Sequence, residues 1–167
     1  MKNLFKAVFV LFALFAFTGA NAQISAGAGI HYGTDISNIG FSINGKYQID
    51  DNWSAAPSFT LFLKKDYVTW SALDLDANYK ITEIDKVGSL YGLAGLNMTF
   101  YKIKFDYDLG EWGGQYSETS TGTEIGFNLG LGIDVPLGEK LALAPEVRYT
   151  LGGVNYLRVG AKLMYAF

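Results

Sequence analysis

The sequence contains no cysteine, and only 17% of its 167 residues are charged. The absence of cysteine excludes a disulfide framework, so stability must come from the packing of the chain itself. The low charge is unusual for a water-soluble domain, and the 16% of aromatic residues is high. Long apolar runs are missing as well. Beyond the N-terminus no segment approaches the roughly 20 apolar residues of a membrane-spanning helix. Mean hydropathy is nevertheless positive, at +0.16. The apolar residues must therefore be spread thinly, and they are spread in alternation.

The clearest alternation is the C-terminal stretch 157–167. Leu157, Val159, Ala161, Leu163, Tyr165 and Phe167 occupy one parity, and Arg158, Gly160, Lys162, Met164 and Ala166 the other. A period of two with charge on one side only is a strand with one apolar and one wet face. Similar runs recur along the chain. The first places Ile24, Ala26, Ala28, Ile30 and Tyr32 against Ser25, Gly27, Gly29 and His31. Others cover about 41–49, 53–63, 73–81, 89–102, 124–135 and 143–151. Leu90, Ala94, Leu96, Met98 and Phe100 are assigned to the outer face of the fifth, because Asn97 and Thr99 must then point inward. The total is eight, an even number, and most runs have the ~9–11 residues that cross a bilayer at a tilt.

The connections differ in length. Turns are expected at 50–52, 82–88 and 136–140, and loops at 33–38, 64–69 and 152–155. The longest irregular segment spans 106–122 and is rich in Gly, Ser, Thr and acids. With an N-terminus on the periplasmic side, the longest loop faces outward, as outer-membrane barrels prefer. Trp53, Tyr79, Tyr165 and Phe167 then form an inner interfacial girdle, and Tyr32, Trp70 and Tyr149 an outer one. Pro57 and Pro145 interrupt strands three and seven, each after an alanine. A closed barrel offers them no free edge, so a bulge or a locally opened ladder is expected at each.

Residues 1–22 read as a secretory signal: Lys2 and Lys6, an apolar middle from Ala7 to Phe17, and Ala20-Asn21-Ala22 as a cleavage site. Gln23, rather than cysteine, follows the cut, which disfavours a lipid anchor. Removing Lys2 and Lys6 leaves 11 basic against 16 acidic residues, a charge of −5. That balance disfavours nucleic acid as a partner.

These features make the chain similar to the small OmpA/OmpX-type outer-membrane barrels. The residues that carry the likeness are Arg158, Gly160, Leu163, Tyr165 and Phe167 in the closing strand, together with the runs 91–97 and 144–149. The resemblance implies an all-β fold: an eight-stranded antiparallel up-and-down transmembrane β-barrel over residues 23–167, in the outer membrane of a Gram-negative cell. It implies that Gly160, Leu163, Tyr165 and Phe167 form the signal read by the barrel assembly machinery. Outer-membrane lipids and lipopolysaccharide would surround the barrel. No peptidoglycan-binding domain is expected beyond Phe167.

Three sets of residues are candidates for function. Inward charges are expected to pair, because an eight-stranded barrel is just wide enough for side chains to fill it and unpaired buried charge is costly. Glu146, Arg148, Arg158 and Lys162, on neighbouring strands, are the expected core of that network. A narrow ion path is the competing reading. His31, the single histidine, lies near Asp35 and Ser37, which allows a hydrolytic triad to be drawn. The His-x-Ser arrangement of the outer-membrane lipid A deacylase is absent, and a histidine that only hydrogen-bonds is the preferred reading. Finally, Asp106, Tyr107, Asp108, Glu111, Trp112 and Tyr116 place aromatics and acids in the longest loop, where they can contact an extracellular ligand. The EF-hand spacing is missing, and no cofactor or metal is expected. The expectation is a structural or surface-interaction protein rather than an enzyme, with a small pore and a lipid-modifying enzyme as alternatives.

Overall fold

The structure is a computed structural model that describes residues 24–65, 67–108 and 115–167, with the side chains of 105–108 and 115–118 excepted. The expected signal sequence and the loop residues Glu111 and Trp112 lie outside the described residues, as do the side chains of Asp106, Tyr107, Asp108 and Tyr116. The described residues form eight strands and no helix: β1 (Ile24–Gly33), β2 (Asn38–Gln48), β3 (Trp53–Phe62), β4 (Val68–Ile84), β5 (Gly88–Asp108), β6 (Gln115–Pro136), β7 (Leu141–Gly152) and β8 (Tyr156–Ala166). Each strand pairs antiparallel with its neighbours in sequence, and β8 returns to β1 from Ser25↔Ala166 to Gly33↔Arg158. The up-and-down barrel is closed.

Its burial is inverted relative to a water-soluble fold. On β6, Ile125, Phe127, Leu129 and Leu131 face outward and are 49% or more exposed. Thr60, Asp74, Asn97, Thr99, Asn128, Thr150 and Arg158 are sealed inside. Alternation explains both, since neighbouring residues on a strand point to opposite faces. Fifth-strand parity is as expected: Leu96 faces out, while Tyr91, Leu93, Asn97 and Thr99 are buried.

Three expectations require correction. The segment 106–122 is not irregular where it is described, because the β5–β6 ladder continues without a break from Ser89↔Asp134 to Asp108↔Gln115. Its Gly, Ser and Thr content resembles a loop, yet cross-strand pairing with β5 overrides composition. Second, β4 begins at Val68 and ends at Ile84, so both connections beside it are shorter than expected; a register irregularity between Lys80 and Thr82 lets the inner β4–β5 hairpin continue past the barrel wall. Third, Trp70 belongs to no outer girdle. It has the parity of Ala72 and Asp74 and packs against the buried cluster Phe62, Ala72 and Tyr156.

Both prolines open the ladder without a bulge. The β2–β3 pairing runs from Asn44↔Ser58 directly to Tyr47↔Ala55 in unchanged register. The β6–β7 pairing passes likewise from Gly132↔Glu146 to Val135↔Leu143. On the opposite side, Pro57 and Pro145 pair normally with Leu75 and Ala161. A residue without an N–H can serve one neighbour but not both.

Candidate functional site: a charged plug under an apolar cap

The centre of the lumen is filled by six ionised side chains. Asp74 and Asp76 come from β4, Glu146 and Arg148 from β7, and Arg158 and Lys162 from β8, all 6% exposed or less. Spacing of two or four along a strand aims each group inward from the same wall. Three negative and three positive charges cancel.

The partners are specific. Arg158 holds Asp74 with two parallel bonds, Nη1 to Oδ2 at 2.8 Å and Nη2 to Oδ1 at 2.7 Å. This two-pronged geometry fixes orientation as well as charge. Asn97 and Asn128 also donate to Asp74 Oδ1, at 2.6 and 2.8 Å, and Ser58 donates to Oδ2 at 3.2 Å. Arg148 donates to Asp76 Oδ2 and, through Nε, to Glu146 Oε1, both at 2.6 Å. Lys162 and the Tyr91 hydroxyl converge on Glu146 Oε2, at 2.6 and 3.0 Å. Breaking such a network on one side strands a buried charge, which is the expensive outcome.

The expected four residues are thus brought together, with two carboxylates from β4 added to them. Arg158 does not bond Glu146; its partner is Asp74, across the lumen on β4. Sequence neighbours β7 and β8 looked sufficient, and only barrel closure shows that β4 supplies the second half. Asn97 was read only as inward, and the roles of Asn128 and Tyr156 escaped the sequence reading. The Tyr156 ring lies 5.3 Å from the Arg158 guanidinium carbon, and its hydroxyl bonds Thr99 at 3.2 Å. An inward asparagine on each of two adjacent strands was the available signal.

Glycines make room for the large side chains. Tyr91 pairs directly with Gly132, and a Cβ there would sit 2.3 Å from the ring. Gly160 pairs with His31, and a Cβ would sit 2.4 Å from the imidazole Nδ1. His31 Nε2 lies 2.8 Å from Ser42 Oγ, which also accepts a bond from Asn44. The serine proton is therefore available to the imidazole. Ser37 donates to the Thr34 carbonyl and Asp35 accepts from the Thr34 hydroxyl, both in the exposed β1–β2 turn. The drawn triad is not assembled.

Above the plug, at the end opposite the termini, Phe62, Ala72 and Tyr156 are buried with Ile36, Trp70 and Val154 packed against them. These residues come from β3, β4, β8 and two outer turns, and they cap the lumen with apolar surface. Below the plug, near the termini, the lumen is polar and open. A cavity of about 170 Å³ there is bordered by Gln48, Asp51, Asn52, Ser54, Lys80 and Ser89.

The rim is uneven. The β5–β6 ladder has twenty rungs, against ten for β1–β2. β4 leaves β5 at Val68↔Ile103, and β7 leaves β6 at Gly126↔Gly152. The hairpin therefore projects beyond the wall, and from Gln115 to Glu124 β6 pairs, among the described residues, with β5 alone.

Among curated proteins none matches this sequence significantly. Solved structures share the fold at low identity. A major outer membrane protein from Thermus thermophilus aligns with a TM-score of 0.71 and 12% identity, over 89% of this chain and 100% of that one. The N-terminal β-barrel domain of Pseudomonas aeruginosa OprF gives 0.63 and 14%, over 90% and 100%. Ail, the attachment invasion locus protein of Yersinia pestis, gives 0.52 and 20%, over 87% and 97%. Residues 7–167 match the outer membrane protein beta-barrel domain, and with the closed, inverted eight-stranded barrel this chain belongs to that family.

Proposed function

We propose that this protein is a closed outer-membrane barrel whose role is surface interaction, presented by the projecting β5–β6 hairpin. The observation that carries the reading is the open edge of β6. Over Gln115–Glu124 one side of the strand has no ladder partner among the described residues, and such an edge pairs readily with an added strand. The described side chains there include Thr119, Ser120, Thr121 and Thr123, all exposed. Threonine suits a pleated, half-solvated strand. In sequence, the segment 106–116 adds Tyr107, Trp112 and Tyr116, with Asp106, Asp108 and Glu111. Aromatics of this kind are common anchors of protein contacts.

The neutral plug and apolar cap support a lumen that carries no ions, so the pore reading is the weaker one. The orientation follows from the short turns and both termini at one end, which is periplasmic in barrels of this kind. The hairpin then stands outside the cell. The test replaces residues 104–119, which lie between the paired Ile103 and Ser120, with a two-residue Asn-Gly turn and compares intact cells bearing either form. Loss of surface adhesion or cell–cell aggregation with unchanged barrel folding is the expected result. Equal surface behaviour of the two forms would overturn the proposal.

A further inference from the structure

The two proline-opened seams lie on opposite sides of the barrel, since β2–β3 and β6–β7 are four positions apart in a ring of eight. Each gap comprises two rungs. In one, Gly45 faces Pro57 and Lys46 faces Ala56; in the other, Ile133 faces Pro145 and Asp134 faces Ala144. Lys46 and Asp134, the charged residue of each gap, form an ion pair with one another. The pair therefore spans the lumen from one opened seam to the other. Both side chains keep about a quarter of their surface, 23% and 25%, which places them at the boundary between solvent and interior. Lys46 Nζ also sits 5.7 Å from the centre of the Tyr91 ring.

Behind this strut lies a small cavity of about 20 Å³, lined among others by Asn44, Ala56, Asn78, Ala144 and Lys162. The alanines that face the two charges leave the space. Asn44 and Asn78 are 7% and 5% exposed, and the Oδ1 of each has no protein partner. The Asn44 amide is held in this orientation because its Nδ2 donates to Ser42 Oγ. In front of the strut lies the 170 Å³ cavity open to the periplasmic end, which shares Lys46, Asn78, Tyr91 and Asp134 with the inner one.

We propose that Lys46–Asp134 is a latch across the lumen, separating a small polar chamber beside the plug from the vestibule open to the periplasmic end. The seams give the latch something to hold. Each wall lacks ladder bonds at the level of the pair, so the ion pair replaces, across the lumen, restraint that the prolines remove along the wall. The chamber ends on the Lys162–Glu146 pair of the plug, which makes it a blind pocket served from the periplasmic side. This inference is independent of the reading of the hairpin.

The chain has no cysteine, so single reporters can be introduced without background. Ala56→Cys and Ala144→Cys place thiols in the chamber, and Ser89→Cys places one in the outer vestibule. The refolded, full-length barrel is labelled with a small methanethiosulfonate reagent, and folding is checked by heat-dependent gel mobility. Chamber thiols are expected to react at least tenfold more slowly than the vestibule thiol. Lys46→Met or Asp134→Asn should raise the chamber rate at least tenfold, and the exchanged pair Lys46→Asp with Asp134→Lys should restore the slow rate. Equal rates at the three reporters, or a chamber rate indifferent to the latch, would overturn the proposal.

Discussion

The two ends of this barrel solve the same problem by opposite means. At the outer end Phe62, Trp70 and Tyr156 exclude water with apolar surface drawn from three strands, reinforced by Ile36 and Val154 from the turns. At the end that carries Ile24 and Phe167 the wall is held by polar and charged groups, open space reaches inward as far as Lys46 and Asp134, and two ladders are locally open. Between them the neutral cluster of Asp74, Asp76, Glu146, Arg148, Arg158 and Lys162 is the one layer that neither end can dispense with. The difference shows that a transmembrane barrel need not be sealed uniformly. One ion-paired layer at mid-height permits an apolar cap above it and a hydrated vestibule below.

This contrast can be broken first at the shared layer. Arg158→Met leaves Asp74 buried without its two-pronged partner, and the loss should be the largest of any single change, about 3–5 kcal/mol. Urea denaturation in lipid vesicles, followed by tryptophan fluorescence, measures it. Adding Asp74→Asn should recover part of that loss, because the orphaned charge is then gone. Losses that simply add would mean that the two groups act separately. Next in size is the outer cap. Phe62→Ala removes a ring packed edge-on against Tyr156, at 6.5 Å between centroids. It should cost up to about 3 kcal/mol while leaving the plug bonds intact.

A smaller effect is expected on the side of the plug nearer Phe167. Gly132→Ala drives a methyl group into the Tyr91 ring and costs about 1–3 kcal/mol. Gly138→Ala, which meets nothing within 4 Å, is the control and should stay within about 0.5 kcal/mol. The smallest effect belongs to the seams. Pro57→Ala restores an N–H opposite Gly45 and should change stability by no more than about 1 kcal/mol. It should slow amide exchange in the neighbouring rungs, and unchanged exchange would show that the gap has another cause.

Much of the architecture was legible because alternation is a local signal that barrel closure preserves. Strands β1, β6, β7 and β8 alternate cleanly, and strand count, topology and lumen-facing parity follow from them. The inward position of all six plug charges was legible for the same reason. Their pairing was not. Arg158 and Asp74 are 84 residues apart, and which wall meets which across a closed lumen depends on shear and stagger, which no local period records. The β5–β6 extension was missed because its Gly, Ser and Thr residues carry little apolar alternation once the strand leaves the membrane. Trp70 was misplaced for a related reason: near a strand end an aromatic residue fits a lipid girdle and an apolar cap equally well by composition, and only parity with Asp74 decides between them. The two prolines were read correctly as ladder interruptions, but the ion pair joining their seams required the fold.

The most direct test of the account is single-channel conductance of the refolded barrel in a planar bilayer. A lumen closed by a neutral plug and an apolar cap predicts silence from correctly folded protein. Stable current steps that change on substituting Arg148 or Glu146 would contradict it, and would make the charged layer the lining of a water-filled path.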